Sequence, residues 1–89
     1  MRIDYSAQIW REGRQYVAHA MPLDVMSSGR TPDDARRALD EAVRLCLATA
    51  ADAGTLADVL EEAGYSLGSR KVTGPEWIAW ERHTAAVAV

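Results

Sequence analysis

Three side chains in this sequence could supply a reactive thiol or a neutral-pH base: Cys46, His19 and His83. A catalytic nucleophile needs a positioned base within hydrogen-bond reach. Cys46 falls within an apolar helical pattern, which favours a small buried hydrophobe over a reactive thiol. His19 lies in a predicted strand and His83 near the end of the sequence, and neither has a carboxylate or a second ligand at the spacing of a known motif. We interpret both histidines as structural or solvent-facing.

The acidic residues are the next candidates, because paired carboxylates can perform general acid-base catalysis. Asp33, Asp34, Asp40 and Glu41 all lie in one predicted helix, where helix capping or ion pairing accounts for them. The glycines are scattered and match neither the dinucleotide nor the P-loop spacing. The sequence therefore predicts no catalytic residue, no metal site and no cofactor, and we expect the protein not to be an enzyme.

Trp77 and Trp80, three residues apart after a proline, are candidates for binding a partner. Tryptophan is enriched among the residues that dominate binding energy at protein interfaces. Packing in the core is an equally good explanation for both. The adjacent basic pairs Arg36-Arg37 and Arg70-Lys71 have no interleaved aromatic residues, so a solvated surface explains them better than single-stranded nucleic acid does.

Composition limits the class of protein. The chain has 89 residues, of which 48% are hydrophobic and 26% charged, with a net charge of −3. This length and balance predict a single globular domain with one core. The mild acidity argues against direct DNA binding, which usually needs a strongly basic surface. No apolar segment is long enough for a signal peptide or a membrane span, so we expect a cytoplasmic protein without membrane contact.

The first part of the sequence predicts a β-meander. Residues Ile3 to Trp10 alternate with a period of two, and Gln15 to Met21 follow a turn that contains Gly13. Pro22 cannot donate a hydrogen bond to a ladder, so the second strand should end there. Leu23 to Ser28 forms a third short extended segment.

A long helix should begin after Gly29. Thr31 provides a capping hydroxyl, Pro32 fits the first helical position, and acidic residues follow in the first turn. The spacing predicts a core-facing seam of Ala35, Ala38, Leu39, Ala42, Leu45, Cys46 and Thr49. On the outer face the pattern predicts ion pairs between residues four apart, which are Arg37 with Glu41 and Asp40 with Arg44.

Val43, Leu47 and Ala50 lie beside that seam and widen the apolar surface to about half of the helix circumference. Either a second helix packs there or another subunit does. A short helix is predicted from Leu56 to Ala63, after Thr55 as N-cap, and the tail from Arg82 to Val89 could form a last strand. The predicted fold is α+β: a three-stranded antiparallel meander, a long helix packed on it, a further short helix and a C-terminal strand.

The order of these segments resembles the HicB antitoxins of bacterial and archaeal toxin–antitoxin systems. The resemblance covers about residues 3 to 67 and includes a tyrosine-containing first strand. Its further segments are Tyr16–Ala18, Pro22–Gly29, Thr31–Ala35 and Leu56–Tyr65.

The resemblance implies a partial ribonuclease-H-like domain of β-β-β-α-β order that binds a HicA-type toxin, a small basic ribonuclease, and covers its catalytic histidine. It also implies that the chain itself cleaves nothing, and that it forms homodimers or larger homo-oligomers. We expect one HicB-like domain over 1–89, with its core at 3–67 and a C-terminal extension at 68–89. We expect no separate DNA-binding domain. The alternative is a stand-alone HicB-like homo-oligomer with a structural or regulatory role and no toxin partner.

The resemblance does not assign the residues that contact a partner. From the sequence pattern, the candidates for an interface are Val43 and Leu47 on the wide apolar face of the long helix, and Trp77 and Trp80 in the C-terminal extension.

Overall fold

The computed structural model describes all residues from 1 to 89. Its elements in chain order are β1 (Ser6–Glu12), β2 (Gln15–Met21), β3 (Val25–Gly29), α1 (Pro32–Asp52), α2 (Leu56–Ala63), β4 (Ser66–Leu67) and β5 (Val72–Thr73). This architecture confirms the predicted α+β class. None of the helices has both the length and the apolar character needed to cross a membrane.

Strands β1, β2 and β3 form an antiparallel sheet in the order β1-β2-β3, with β2 in the centre. The register places Ala18 of β2 between Ile9 of β1 and Ser27 of β3. Side chains alternate between the two faces of a strand. One face of the sheet therefore carries Ile9 and Ala18 and packs against α1, and the other face carries Trp10, its cross-strand neighbour Val17, and His19.

Helix α1 begins as the sequence predicts. The Thr31 hydroxyl accepts a hydrogen bond from the backbone N–H of Asp34 at 3.0 Å, and Pro32 occupies the first turn. Arg36 pairs with Asp33 and Arg37 with Asp34, each three residues apart. These pairs replace the predicted ones between residues four apart. The helix lies mainly across β2 and β3 and leaves β1 largely uncovered.

The face of α1 that enters the core differs from the predicted seam. The buried residues are Ala35, Leu39, Val43 and Ala50. Leu45 is 67% exposed, and Cys46 and Thr49 are also exposed, so the predicted inward position of these three residues was wrong. The apolar residues covered half of the helix, and contact with the small residues Ala18 and Ala20 of β2 selects the face that contains Val43.

Helix α2 completes a second, smaller packed region beyond the end of the sheet. Leu60 of α2 is 1% exposed, and Tyr65, just after the helix, is 4% exposed. The Tyr65 hydroxyl donates a hydrogen bond to the backbone carbonyl of Asp4 at 2.6 Å, which attaches this region to the N-terminal segment. Thr55 stands at the predicted N-cap position, but its side chain makes no capping hydrogen bond.

The C-terminal strands lie earlier in the chain than the sequence predicts. β4 and β5 pair with each other, two residues each, and do not join the three-stranded sheet. The predicted strand from Arg82 to Val89 does not form, because no strand of the chain lies beside it for pairing. The strands after α2 thus form a separate small hairpin, and both edges of the main sheet, β1 and β3, are free.

Candidate partner-binding surfaces

The side of the sheet opposite α1 carries no helix. We call it the open sheet face and define it by Gln8, Trp10, Val17, His19, Met26 and Ser28. Met26 is 56% exposed, whereas Val17 is only 9% exposed. Trp10 lies directly across the ladder from Val17, and its large side chain explains the low exposure of Val17. The face therefore presents apolar and aromatic side chains at its centre.

His19 and Asp24 form the shortest contact between polar side chains on this face. The Nε2 atom of His19 lies 2.6 Å from the Oδ1 atom of Asp24. The Asp24 backbone is left-handed, with φ of 59°, and its N–H donates to the Ala20 carbonyl at 2.8 Å. Aspartate tolerates this conformation better than most residues do. The turn between β2 and β3 thus directs the carboxylate back to the histidine.

Trp10 completes the arrangement around His19. Its ring meets the imidazole edge-on, with ring centroids 6.4 Å apart and an interplanar angle of 78°. Its indole N–H donates to Glu12 at 2.9 Å, so the polar edge of the indole is satisfied. The result is a fixed aromatic pair with carboxylates on two sides, which are Glu12 and Asp24.

The histidine–aspartate pair was missed in the sequence, where no carboxylate was assigned to His19. The two residues are five apart and face each other across the turn that contains Pro22. A histidine held by a carboxylate is half of an acid-base arrangement, which also needs a group to act on. The structure contains no cluster of three or more His, Cys, Asp or Glu side chains that could hold a metal ion.

A second surface is formed by the C-terminal arm, which we define as residues 74–89. The arm contains no helix or strand. Trp77 and Trp80 stack at 5.6 Å between ring centroids and are 42% and 65% exposed. They line a cavity of about 330 Å³ together with Pro22 and the start of β1, so the arm leaves the body of the protein beside β1. On the same arm, Ile78 between the two tryptophans is 87% exposed and Val87 is 75% exposed.

A third surface lies between the uncovered side of β1 and α1. We call it the β1–α1 groove, and it has a volume of about 530 Å³. Its lining residues are Tyr5, Ala7, Ile9, Arg36, Leu39 and Asp40. The Tyr5 hydroxyl donates a hydrogen bond to the Asp40 carboxylate and joins the two walls of the groove at one end.

The electrostatics of these regions are simple. Partial burial, followed by the hydrogen bond to Asp40, raises the pKa of Tyr5 to about 12. Burial also raises the pKa of Tyr65, with a smaller contribution from Asp4. At the start of α1, the hydrogen bond from Arg37 and then the one from Thr31 lower the pKa of Asp34.

The four interface candidates from the sequence occupy different environments. Val43 is 2% exposed and belongs to the core cluster, so its side chain is not presented to a partner. Leu47 is partly buried against the same cluster. Trp77 and Trp80 are exposed, and a role in partner binding stays a prediction for them.

Comparisons with known proteins return no match to the chain, whether they use protein-family models, curated proteins or solved structures. What the geometry provides is three exposed features on one small body: the open sheet face, the C-terminal arm and the β1–α1 groove. All three combine exposed apolar or aromatic side chains with a few charged residues.

Proposed function

We propose that the chain is a protein-binding module, and specifically a HicB-like antitoxin that binds a small basic HicA-type ribonuclease toxin and occludes its active site. The observation that carries the proposal is the open sheet face. It offers a large apolar centre at Trp10 and Met26 with acidic groups, Glu12 and Asp24, at its rim.

The chemistry of this face suits a basic partner. A few residues dominate the binding energy of a protein interface, and tryptophan is enriched among them. Trp10 is held both by its hydrogen bond to Glu12 and by the His19 ring. Exposed carboxylates increase the rate and specificity of association with a positively charged protein. The net charge of −3 acts in the same direction over the whole molecule.

Occlusion requires a rigid surface rather than a flexible one. Residues of β2 stand at the centre of the sheet, paired on both sides along Tyr16 to Ala20. The face is therefore fixed by backbone hydrogen bonds before a partner arrives. Preorganisation of this kind reduces the entropy that is lost on binding.

The experiment is inhibition of RNA cleavage by a purified HicA-type toxin, co-expressed with this chain and then separated from it. The unaltered chain should form a complex and abolish cleavage. Met26→Asp, which places a charge at the centre of the face, should weaken inhibition by at least tenfold. Leu45→Asp is the matched control, because Leu45 is 67% exposed on α1, away from the sheet, and this variant should inhibit like the unaltered chain.

Absence of a complex with every toxin of this class, or equal inhibition by both variants, would contradict the proposal in different ways. The first result would remove the antitoxin function. The second would move the binding site away from the open sheet face.

A second candidate function is a stand-alone homo-oligomeric module with a structural or regulatory role. The exposed C-terminal arm favours it, because Ile78 is 87% exposed and Val87 is 75% exposed in the single chain. A search for a small basic open reading frame directly beside this gene separates the two candidates. Presence of such a gene supports the antitoxin, and its absence supports the module without a toxin.

A further inference from the structure

The single chain exposes more surface than a monomer of its mass should. Its accessible area is 7174 Å² for 9.7 kDa, whereas a folded monomer of this mass exposes about 5,100 Å². The radius of gyration is 15.5 Å, against about 12 Å for a compact chain of this length. About 2,000 Å² is therefore in excess, and a partner in a standard interface buries only about 800 Å² of its own surface.

The excess is concentrated in the C-terminal arm, whose residues are almost all exposed beyond Pro75. The distal part, Thr84–Val89, reads Thr-Ala-Ala-Val-Ala-Val and alternates between Ala85, Val87 and Val89 on one side and smaller or polar residues on the other. β-branched residues at a period of two are typical of a strand. The segment has the composition of a strand but no strand beside it.

The edge of β1 is the free edge that can accept such a strand. α1 lies across β3 and contacts β1 much less, so the β1–α1 groove runs along the helix-facing side of β1. β1 has seven residues, which span about 23 Å, and the six residues of 84–89 span about 20 Å when extended. The β1 edge therefore offers the distal arm a strand of similar length, an unpaired backbone and a partly apolar groove.

We propose that the arm of one copy adds as a strand to the β1 edge of a second copy, with Val87 and Val89 in the β1–α1 groove. The exchange is reciprocal and gives a closed two-fold dimer. Main-chain hydrogen bonds of the added strand supply affinity, and specificity comes from the alternate side chains that enter the groove. The proximal part of the arm, with Trp77 and Trp80, stays on its own chain beside Pro22 and directs the distal part outwards.

A second copy fits better than an unrelated partner because the arm and the groove occur together on every chain, so both excess surfaces are covered at once. The groove carries one basic and one acidic residue, Arg36 and Asp40, and the distal arm after His83 has no charged side chain. Apolar side chains therefore determine the contact, and no charged partner is required. The inference holds with or without a toxin partner.

The test is the mass of the full-length protein in solution, measured by light scattering and native mass spectrometry. The unaltered chain should have twice the monomer mass of 9.7 kDa. Val87→Asp should shift the protein to the monomer, because it places a charge in the groove. Ala86→Asp is the matched control, since the adjacent residue faces the other way, and it should remain dimeric.

A second pair of variants tests the acceptor edge. Ala7→Arg fills the groove and should also give a monomer, whereas Gln8→Arg, the next residue on the same edge but on the open sheet face, should not. Far-UV circular dichroism establishes that each variant is folded. Hydrogen exchange should show protected amides over 84–89 in the dimer and loss of this protection in Val87→Asp.

Three results would overturn the inference. One is a monomeric unaltered chain, including a monomer in which the arm is protected by its own β1. Another is a dimer that survives both Val87→Asp and Ala7→Arg. The third is that the control variants, although folded, become monomeric to the same extent as the test variants.

Discussion

Gly29 lies so close to the backbone of Ala35 that a residue with a side chain cannot replace it without a clash. A Cβ atom built on Gly29 would lie 2.6 Å from the backbone nitrogen of Ala35 and 2.8 Å from the backbone carbonyl carbon of Asp34. Contacts below 3.0 Å to backbone atoms cannot be relieved by turning a side chain. The end of β3 and the first turn of α1 therefore meet at this glycine because of its size, since its φ is not positive.

Gly29→Ala should destabilise the protein by about 1–3 kcal/mol, because α1 must move away from β3 to accommodate the methyl group. Urea unfolding followed by circular dichroism measures the change. Gly13→Asn is the control: Gly13 has φ of 60° with no atom within 4 Å of an added Cβ. Asparagine tolerates that conformation, so the cost there should be within about 0.5 kcal/mol. Equal costs at both positions would refute the steric explanation.

Thr31→Ala should cost about 1 kcal/mol, because it removes the only side-chain acceptor for the Asp34 N–H at the start of α1. Thr31→Ser keeps the hydroxyl and should restore most of the loss. Thr55→Ala should cost less, since Thr55 caps no helix N–H and donates only a long hydrogen bond of 3.3 Å to the Ala50 carbonyl. Thermal unfolding ranks the three variants, and a larger loss at Thr55 than at Thr31 would contradict this account.

The free energy of unfolding should fall as the pH rises from about 10 to about 12. The pKa of Tyr5 is raised from 10.0 to about 12 in the folded protein. A group whose pKa is raised by folding stabilises the folded state fully below its unfolded pKa, and this contribution is lost above it. Tyr5→Phe should make the decline shallower. Urea titrations at each pH measure this slope, and an unchanged decline in Tyr5→Phe would contradict the explanation.

Leu39→Ala and Leu45→Ala should differ sharply although both lie on α1. Leu39 is 1% exposed in the core, so its truncation should cost about 2–5 kcal/mol. Leu45 is 67% exposed, and its truncation should change stability by no more than about 0.5 kcal/mol. Chemical unfolding of the two variants side by side measures the difference. A large cost at Leu45 would return that residue to the core, as the sequence pattern predicted.

Cys46 should react with a thiol reagent in the native protein without denaturant, because the residue is exposed on α1. The measurement is the stoichiometry of modification by Ellman's reagent at neutral pH, compared with the same protein in guanidinium chloride. Equal stoichiometry is expected in both conditions. Protection in the native sample alone would place the thiol in a contact, either in the core or between subunits.

Local patterns in the sequence predicted the elements whose causes are themselves local. β2 has the predicted bounds from Gln15 to Met21, since Pro22 cannot continue the ladder, and α1 begins at Pro32 because its cap and first turn are encoded within four residues. The prediction of the helix face failed for a physical reason. Apolar residues covered half of α1, and only contact with the alanines of β2 selects the side that contains Val43 over the side that contains Leu45.

The surfaces were harder to predict than the fold. The contact between His19 and Asp24 depends on a turn that reverses the chain, and spacing alone does not reveal it. Aspartate two residues after a proline that ends a strand was the one available indication. The tail from Arg82 to Val89 had strand composition, but a strand also needs a neighbour, and one chain does not place a neighbour beside it.

The hydrogen bond between Tyr65 and Asp4 joins residues 61 positions apart in the chain. A closed loop of this length is entropically costly, and few other contacts attach α2 to the sheet. The region from α2 onward should therefore open and close as a unit while the β-meander remains intact. In native-state exchange its amides should report a lower opening free energy than those of β2, because mainly the packing of α2 on α1 and the Tyr65 hydroxyl hold this region to the rest of the molecule.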